Sequence, residues 1–107
     1  MLAFYSFMST RENQNTEFKE SWREEYLKTV CAFANTSGGI ICVGKDDRGR
    51  ICGAANHEKL LEDIPNQIKN SFGIISDVKA IKAGGKIIVT VKVKASKSTR
   101  LTKLFKF

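Results

Sequence analysis

Three groups of residues in this 107-residue chain have the types and spacing to do chemistry. Gly39, Gly44 and Lys45 stand at the G-x-x-x-x-G-K spacing of a phosphate-binding loop, with Asp46 where such a loop carries the Ser or Thr that holds magnesium. Asp46 and Asp47 form a pair of carboxylates, and Lys92, Lys94, Lys97 and Arg100 form a run of cations further on. Phosphate-loop chemistry needs a pliant, solvated turn whose successive N–H groups wrap the anion. Between these glycines lie Ile40, Ile41, Cys42 and Val43, mostly stiff β-branched residues that favour an extended strand. The segment Asp46-Asp47-Arg48-Gly49 after Lys45 is turn chemistry rather than a helix start, and its two carboxylates repel a triphosphate. The stretch therefore reads as a core strand that delivers Asp46 and Asp47 to its end, and no ATP is expected to bind.

The cations are distributed unevenly. The net charge is +7, yet residues 1–73 carry nine Lys/Arg against ten Asp/Glu, while residues 74–107 carry nine against Asp77 alone. A basic surface of that density favours polyanions, nucleic acid before anionic membrane. Lys92, Lys94, Lys97 and Arg100 are the expected phosphate contacts; the alternative is an exposed edge strand kept soluble by its lysines. No apolar run approaches the roughly 20 residues of a membrane-spanning helix. The opening MLAFYSFMST lacks the basic region and cleavage site of a signal peptide. Cys31, Cys42 and Cys52 make an odd count without C-x-x-C spacing, which fits small apolar residues in a reduced, cytoplasmic chain better than disulfides or zinc.

These groups need elements to position them. At 42% hydrophobic residues the chain can bury one small core. Residues 1–10 read as a loose leader, 11–95 as the folded domain, and 96–107 as a basic tail, either a truncated C-terminal strand or disorder. Asn15 to Lys19 suits a short strand. Ser21-Trp22-Arg23-Glu24 has the form of a capping box, and Trp22, Tyr26, Val30, Phe33 and Ala34 recur at helical spacing, so a helix is expected over residues 22–35 with its aromatics in the core. After the strand Ile40–Val43 and the turn at Asp46–Gly49, Arg50–Cys52 is expected to return as a strand. Asn56 is a candidate cap for a second helix whose stripe runs Leu60, Leu61, Ile64, Ile68, Phe72, kinked or split by Pro65. His57 then falls in its first turn, a surface position. Residues 74–95 form a β-hairpin about Gly84-Gly85, in which Val89, Val91 and Val93 alternate with Thr90, Lys92 and Lys94, one face core and the other basic. The expectation is one α+β domain, two helices on a mostly antiparallel sheet.

Glu12-Asn-Gln-Asn-Thr-Glu17-Phe-Lys19, Cys31-Ala-Phe-Ala-Asn-Thr-Ser-Gly-Gly39, Val43-Gly-Lys-Asp-Asp-Arg-Gly49 and Ile51-Cys-Gly53 together resemble the Schlafen AlbA_2 domain, also called divergent AAA-4. The resemblance runs over roughly residues 11–94. It implies an AlbA-like fold and nucleic-acid binding, as in domains at the head of prokaryotic transcriptional regulators. In animal Schlafens the same module belongs to an RNA endonuclease with three acidic residues, which correspond here to Glu12, Glu17 and Asp47; Lys19 matches the lysine of the E-F-K element. Two departures stand out: Lys45 occupies a position that is usually apolar in the family, and Ser96 to Phe107 lack the family's C-terminal pattern.

Three converging acids would hold one or two hard cations, Mg²⁺ or Mn²⁺, that polarise the scissile phosphate and activate water. Glu12 and Glu17 are five residues apart, an odd offset that places them on opposite faces of a regular strand, so convergence requires Glu12 to double back. The plain alternatives are a solvated Glu17, a loop Glu12, and Asp46 and Asp47 bonding their own turn. Lys19 either meets phosphate or pairs with a glutamate. Three functions suit these residues: a nucleic-acid-binding module, ranked first; a metal-dependent endoribonuclease, which leaves enzyme activity open; and a homodimer joined along the Lys86–Ala95 strand as a free edge.

Overall fold

The computed structural model describes residues 15–96. The leader, Glu12, Lys97, Arg100 and the rest of the basic tail lie outside the described residues. The element order is β1 (Thr16–Lys19), a 3-10 turn (Glu24–Tyr26), α1 (Leu27–Ala34), β2 (Gly39–Val43), α2 (His57–Phe72), β3 (Asp77–Ala83) and β4 (Lys86–Val93). The four strands form one mixed sheet in the order β1-β2-β4-β3. β1 runs parallel to β2, while β4 runs antiparallel to both β2 and β3. This is the expected α+β domain with two helices and a mostly antiparallel sheet.

One face of the sheet carries the core. Register places Val91 opposite Ile41 on one side and Val78 on the other, with Val89 opposite Val43. These residues cluster with Val30, Phe33 and Ala34 of α1 and with Ile64, Ile68 and Phe72 of α2. Both helices therefore cover the same face, each laying an apolar stripe on it. Burying each large aliphatic side chain contributes about 1.5–3 kcal/mol, so this contact dominates the fold.

Several local expectations change. Ser21–Glu24 forms no capping box: the turn opens at Glu24 with Arg23 before it and no side-chain cap, and the α-helix starts only at Leu27. Trp22 is held instead by tertiary contacts, its indole N–H donating to Gln67 Oε1 at 2.9 Å and its ring meeting Tyr26 edge-on. Trp22 and Tyr26 are half-buried, and of the three aromatics only Phe33 is fully in the core. Pro65 neither splits nor ends α2, which runs 16 residues through it; the stripe of Ile64, Ile68 and Phe72 against the sheet outweighs the one lost backbone bond. Arg50–Cys52 makes a single bridge, Lys45 to Ile51, rather than a strand. Cys52 is exposed, unlike Cys31 and Cys42. Most consequential, β4 is an interior strand between β2 and β3. Its backbone groups are already paired on both sides, so it is not the free edge that the expected pairing of two copies required.

The Asn35–Gly39 turn ties α1 to the sheet. Gly38 N–H donates to Phe33 O at 2.8 Å, and Thr36 Oγ1 donates to Ala32 O at 2.8 Å. Gly38 has φ +86°, and a Cβ there would lie 2.7 Å from Val93 O. At Gly39 a Cβ would meet the Phe33 ring at 2.7 Å. The two glycines thus let the helix end press against β2 and β4. Gly38→Ala should lower stability by more than ~1 kcal/mol, combining left-handed strain with the clash. A urea midpoint equal to that of the unchanged chain would contradict this account of the turn.

Candidate nucleic-acid interface

No described helix covers the second face of the sheet. By the two-residue period and the strand register, this face carries Phe18, Cys42, Ile88 and Thr90 together with Lys79, Lys86 and Lys92. Its two ends differ. At one end the segment after β2 folds back over the sheet: Lys45 is only 6% exposed, Ile51 bridges to it, and both border a small cavity of about 30 Å³ against Cys42, Ile88 and Thr90. Lys45 Nζ sits 5.1 Å from the centroid of the Phe18 ring. The Lys45 stem is thereby buried and its ammonium faces an aromatic ring, a contact worth up to about 2 kcal/mol when desolvated. The G-x-x-x-x-G-K spacing is thus structural: its middle is β2 and its lysine lies against Phe18.

At the other end Lys92 and Lys94 are exposed. They stand between two hollows. One, of about 500 Å³, is bordered by Asn15, Thr16 and the Ser37–Ile40 segment; the other, of about 410 Å³, by Ile75, Ser76 and Asp77. Lys79 lies beside them on β3, paired with Asp77 at 3.7 Å. That pair is well exposed and contributes about 0–1 kcal/mol, too little to keep Lys79 from a stronger anion. Sequence reasoning singled out Lys92 and Lys94 but missed Lys79 and Lys86. The signal was present as alternation in β3 and β4; what was missing was the register that puts the two sets on one face.

The acidic candidates separate. Glu17 lies on β1 opposite Ile41, on the helix side, and pairs with Lys19 at 3.6 Å. Lys19 Nζ also sits 4.6 Å from the Tyr26 ring centroid. Asp47 is exposed in the turn and shares with Lys19, Arg23 and Tyr26 a hollow of about 290 Å³. Asp47 and Lys19 are therefore brought to one place, at the carboxyl ends of the two parallel strands. Among the described residues no three His, Cys, Asp or Glu side chains gather as metal ligands. A set that includes Glu12 involves a residue outside that description.

Asp46 belongs to its turn. Its Oδ1 accepts the Arg48 and Arg50 backbone N–H groups, both at 2.9 Å, and Oδ2 accepts the Arg50 Nε–H at 3.0 Å. The Arg50 backbone N–H above all, with the other donors adding to it against a desolvation cost, holds the Asp46 carboxyl below the usual aspartate range. Burial raises the Cys31 and Cys42 thiols, the first opposed by the Asn35 amide and the second by the Lys45 charge, so neither is an activated nucleophile.

The Schlafen AlbA_2 profile matches residues 12–106. An uncharacterized ATP-binding protein of Ureaplasma parvum is 34% identical over 103 residues, an alignment covering 80% of this chain and 29% of that protein. The chain thus spans under a third of that curated relative. The solution structure of the N-terminal domain of a RecG-related protein from Nitrosomonas europaea superposes with TM-score 0.67 at 23% identity, covering 88% of this chain and 71% of that one. A crystal structure of a Corynebacterium diphtheriae protein gives TM-score 0.62 at 20% identity, covering 91% of this chain and 26% of that one. At these identities the two structures support the fold.

Because the folded-state pKa of Asp46 is depressed, its contribution to stability is complete above the unfolded-state value and disappears as pH falls through the folded one. Melting curves of the unchanged chain and Asp46→Ala should therefore differ near neutral pH and converge in acid. A difference that persists or grows as pH falls would contradict the turn's charge-assisted bonding.

Proposed function

The chain belongs to the Schlafen AlbA_2 family, and from that premise we propose that it is a nucleic-acid-binding domain that grips the phosphate backbone with the helix-free face of its sheet. The observation that carries this reading is the gathering of Lys79, Lys92 and Lys94 at the open end of that face, with Lys92 and Lys94 as a ridge between two hollows. Ammonium groups are point charges that suit phosphates without reading bases, so recognition is backbone-dominated and weakly sequence-specific. Lys97 and Arg100 extend the same run of cations in sequence. The RecG-related name of one structural neighbour and the family's place at the head of regulators fit this role, and the short span against the Ureaplasma relative fits a domain of a larger protein, for which we propose a transcriptional regulator. No triphosphate enters this reading, because the residues of the loop-like spacing form β2 and its buried end.

Electrostatic binding to nucleic acid weakens as counterions compete, with a log–log slope of about 0.9 per phosphate neutralised on B-form DNA. Fluorescence anisotropy with duplex DNA and duplex RNA should give binding that falls steeply with salt. Lys92→Ala with Lys94→Ala should reduce that slope by about two. No binding at low salt, or an unaltered slope, would overturn the proposal.

A second reading has one observation in its favour. Lys19 and Asp47 share a hollow beyond the carboxyl ends of the parallel β1 and β2, where open sheets with parallel strands commonly place ligands. With Glu12 and Glu17 this would make a Mg²⁺- or Mn²⁺-dependent endoribonuclease, Asp47 and the glutamates holding the metal and Lys19 facing the phosphate. Structured RNA incubated with Mn²⁺ should then be cut by the unchanged chain and left whole by Asp47→Ala. Equal outcomes for the two proteins would eliminate this reading.

A further inference from the structure

The hollow on the β3 side of the lysine ridge holds a feature that general electrostatics leaves unexplained. Ser76 Oγ is shielded from solvent and is the only such buried side-chain polar atom without a hydrogen-bond partner among the described residues. Folded chains rarely leave a buried hydroxyl in that condition. Ser76 as a residue borders the same hollow, of about 410 Å³, as Lys92 and Lys94, with its Oγ turned away from the opening. Once Oγ is turned to the hollow, the hydroxyl and the two ammonium groups make a set rich in donors, and a ligand that matches it carries several acceptor oxygens and a negative charge.

Two neighbours narrow the choice of anion. Asp77 stands on the rim, its carboxylate turned to Lys79 at 3.7 Å. A carboxylate there disfavours a doubly charged phosphate monoester more than a singly charged diester. Ile75, also on the rim, is 89% exposed, the one large hydrophobic residue so exposed among the described residues. Alone it would mean little. Beside two lysines and a serine it offers an apolar surface to whatever the phosphate is attached to, and a pentose ring supplies one.

We infer that this hollow seats one backbone phosphodiester of the bound polynucleotide, with Ser76 as a neutral hydrogen-bond donor that fixes its position. Ser76 as a residue is half-exposed, and the seat requires rotation about χ1 to another staggered well that brings Oγ from its shielded position to the hollow. Lys92 and Lys94 supply the charge, and Ile75 lies against the adjoining sugar. The inference rests on the proposed function and adds to it a specific seat and an uncharged contact.

Ser76→Ala tests it in the full 107-residue chain, using a fluorescein-labelled duplex oligonucleotide and thermal melting. The variant should bind about tenfold more weakly at fixed salt. Its salt slope should stay unchanged, because no charge is removed, whereas Lys92→Ala should lower the slope by about one. Its melting temperature should hold or rise, since an unpartnered buried hydroxyl has been removed. Equal affinity for Ser76→Ala and the unchanged chain, with Lys92→Ala weakened, would overturn the seat while leaving the proposed function intact. A lowered melting temperature would assign Ser76 a structural role and overturn the seat as well. Absence of binding by the unchanged chain would overturn both. Inorganic phosphate exchanged for chloride at equal ionic strength should displace the oligonucleotide no better than chloride; preferential displacement would make this a free-phosphate site and overturn the diester assignment.

Discussion

The two-residue period of β4 sets the rest of the molecule. Val89, Val91 and Val93 turn to one side and are at most 2% exposed beneath the two helices. Thr90 and Lys92 turn to the other, with Lys94 beyond them. Because β4 is interior, bonded to β2 on one flank and β3 on the other, this alternation is imposed on a whole sheet rather than a ribbon. A slip of one residue would drive lysines into the apolar layer and valines to the surface. The same burial that stabilises the domain thus fixes where its cations stand. Folding and the placement of the cations share a single register.

Around that strand the remaining devices are local. The Gly38-Gly39 turn draws the end of α1 onto β2 and β4, and Ser96 N–H donates to Ala34 O at 2.7 Å, so Ser96 is also tied to α1. The Asp46 turn closes on its own carboxylate, leaving Asp47 exposed at its rim. Lys45 and Ile51 cover one end of the second face and leave the Lys92–Lys94 end to its hollows. The face is therefore divided into a closed end, built by the segment that mimics a phosphate loop, and a charged end built by β3 and β4.

Much of this was legible in the chain. The β-branched run between Gly39 and Gly44 announced a strand, the valine–lysine alternation announced two faces, and the A-F-A-N-T-x-G-G segment carried the family. The helical stripe of Ile64, Ile68 and Phe72 was equally plain, but its strength was underestimated, since Pro65 sits within α2 without dividing it. The Ser21–Glu24 pattern misled because tertiary contacts of Trp22 with Gln67 and Tyr26 outrank a local cap. Strand order was not legible: that β1 lies parallel to β2, and that β4 is interior, depends on long-range pairing that no local pattern encodes. The convergence of Lys79 with Lys92, and the orphaned Ser76 hydroxyl, depend on that order and stayed hidden with it.

The central claim is that nucleic acid meets the helix-free face at the end where Lys92 and Lys94 stand. Amide chemical-shift mapping during titration with an unlabelled duplex addresses it directly. The account predicts that shifts concentrate on Lys79, Thr90, Lys92 and Lys94 and on the two flanking hollows, while the exposed side of α2, with Glu58 and Glu62, stays silent. Shifts centred on α2, or spread evenly over both faces of the domain, would contradict it.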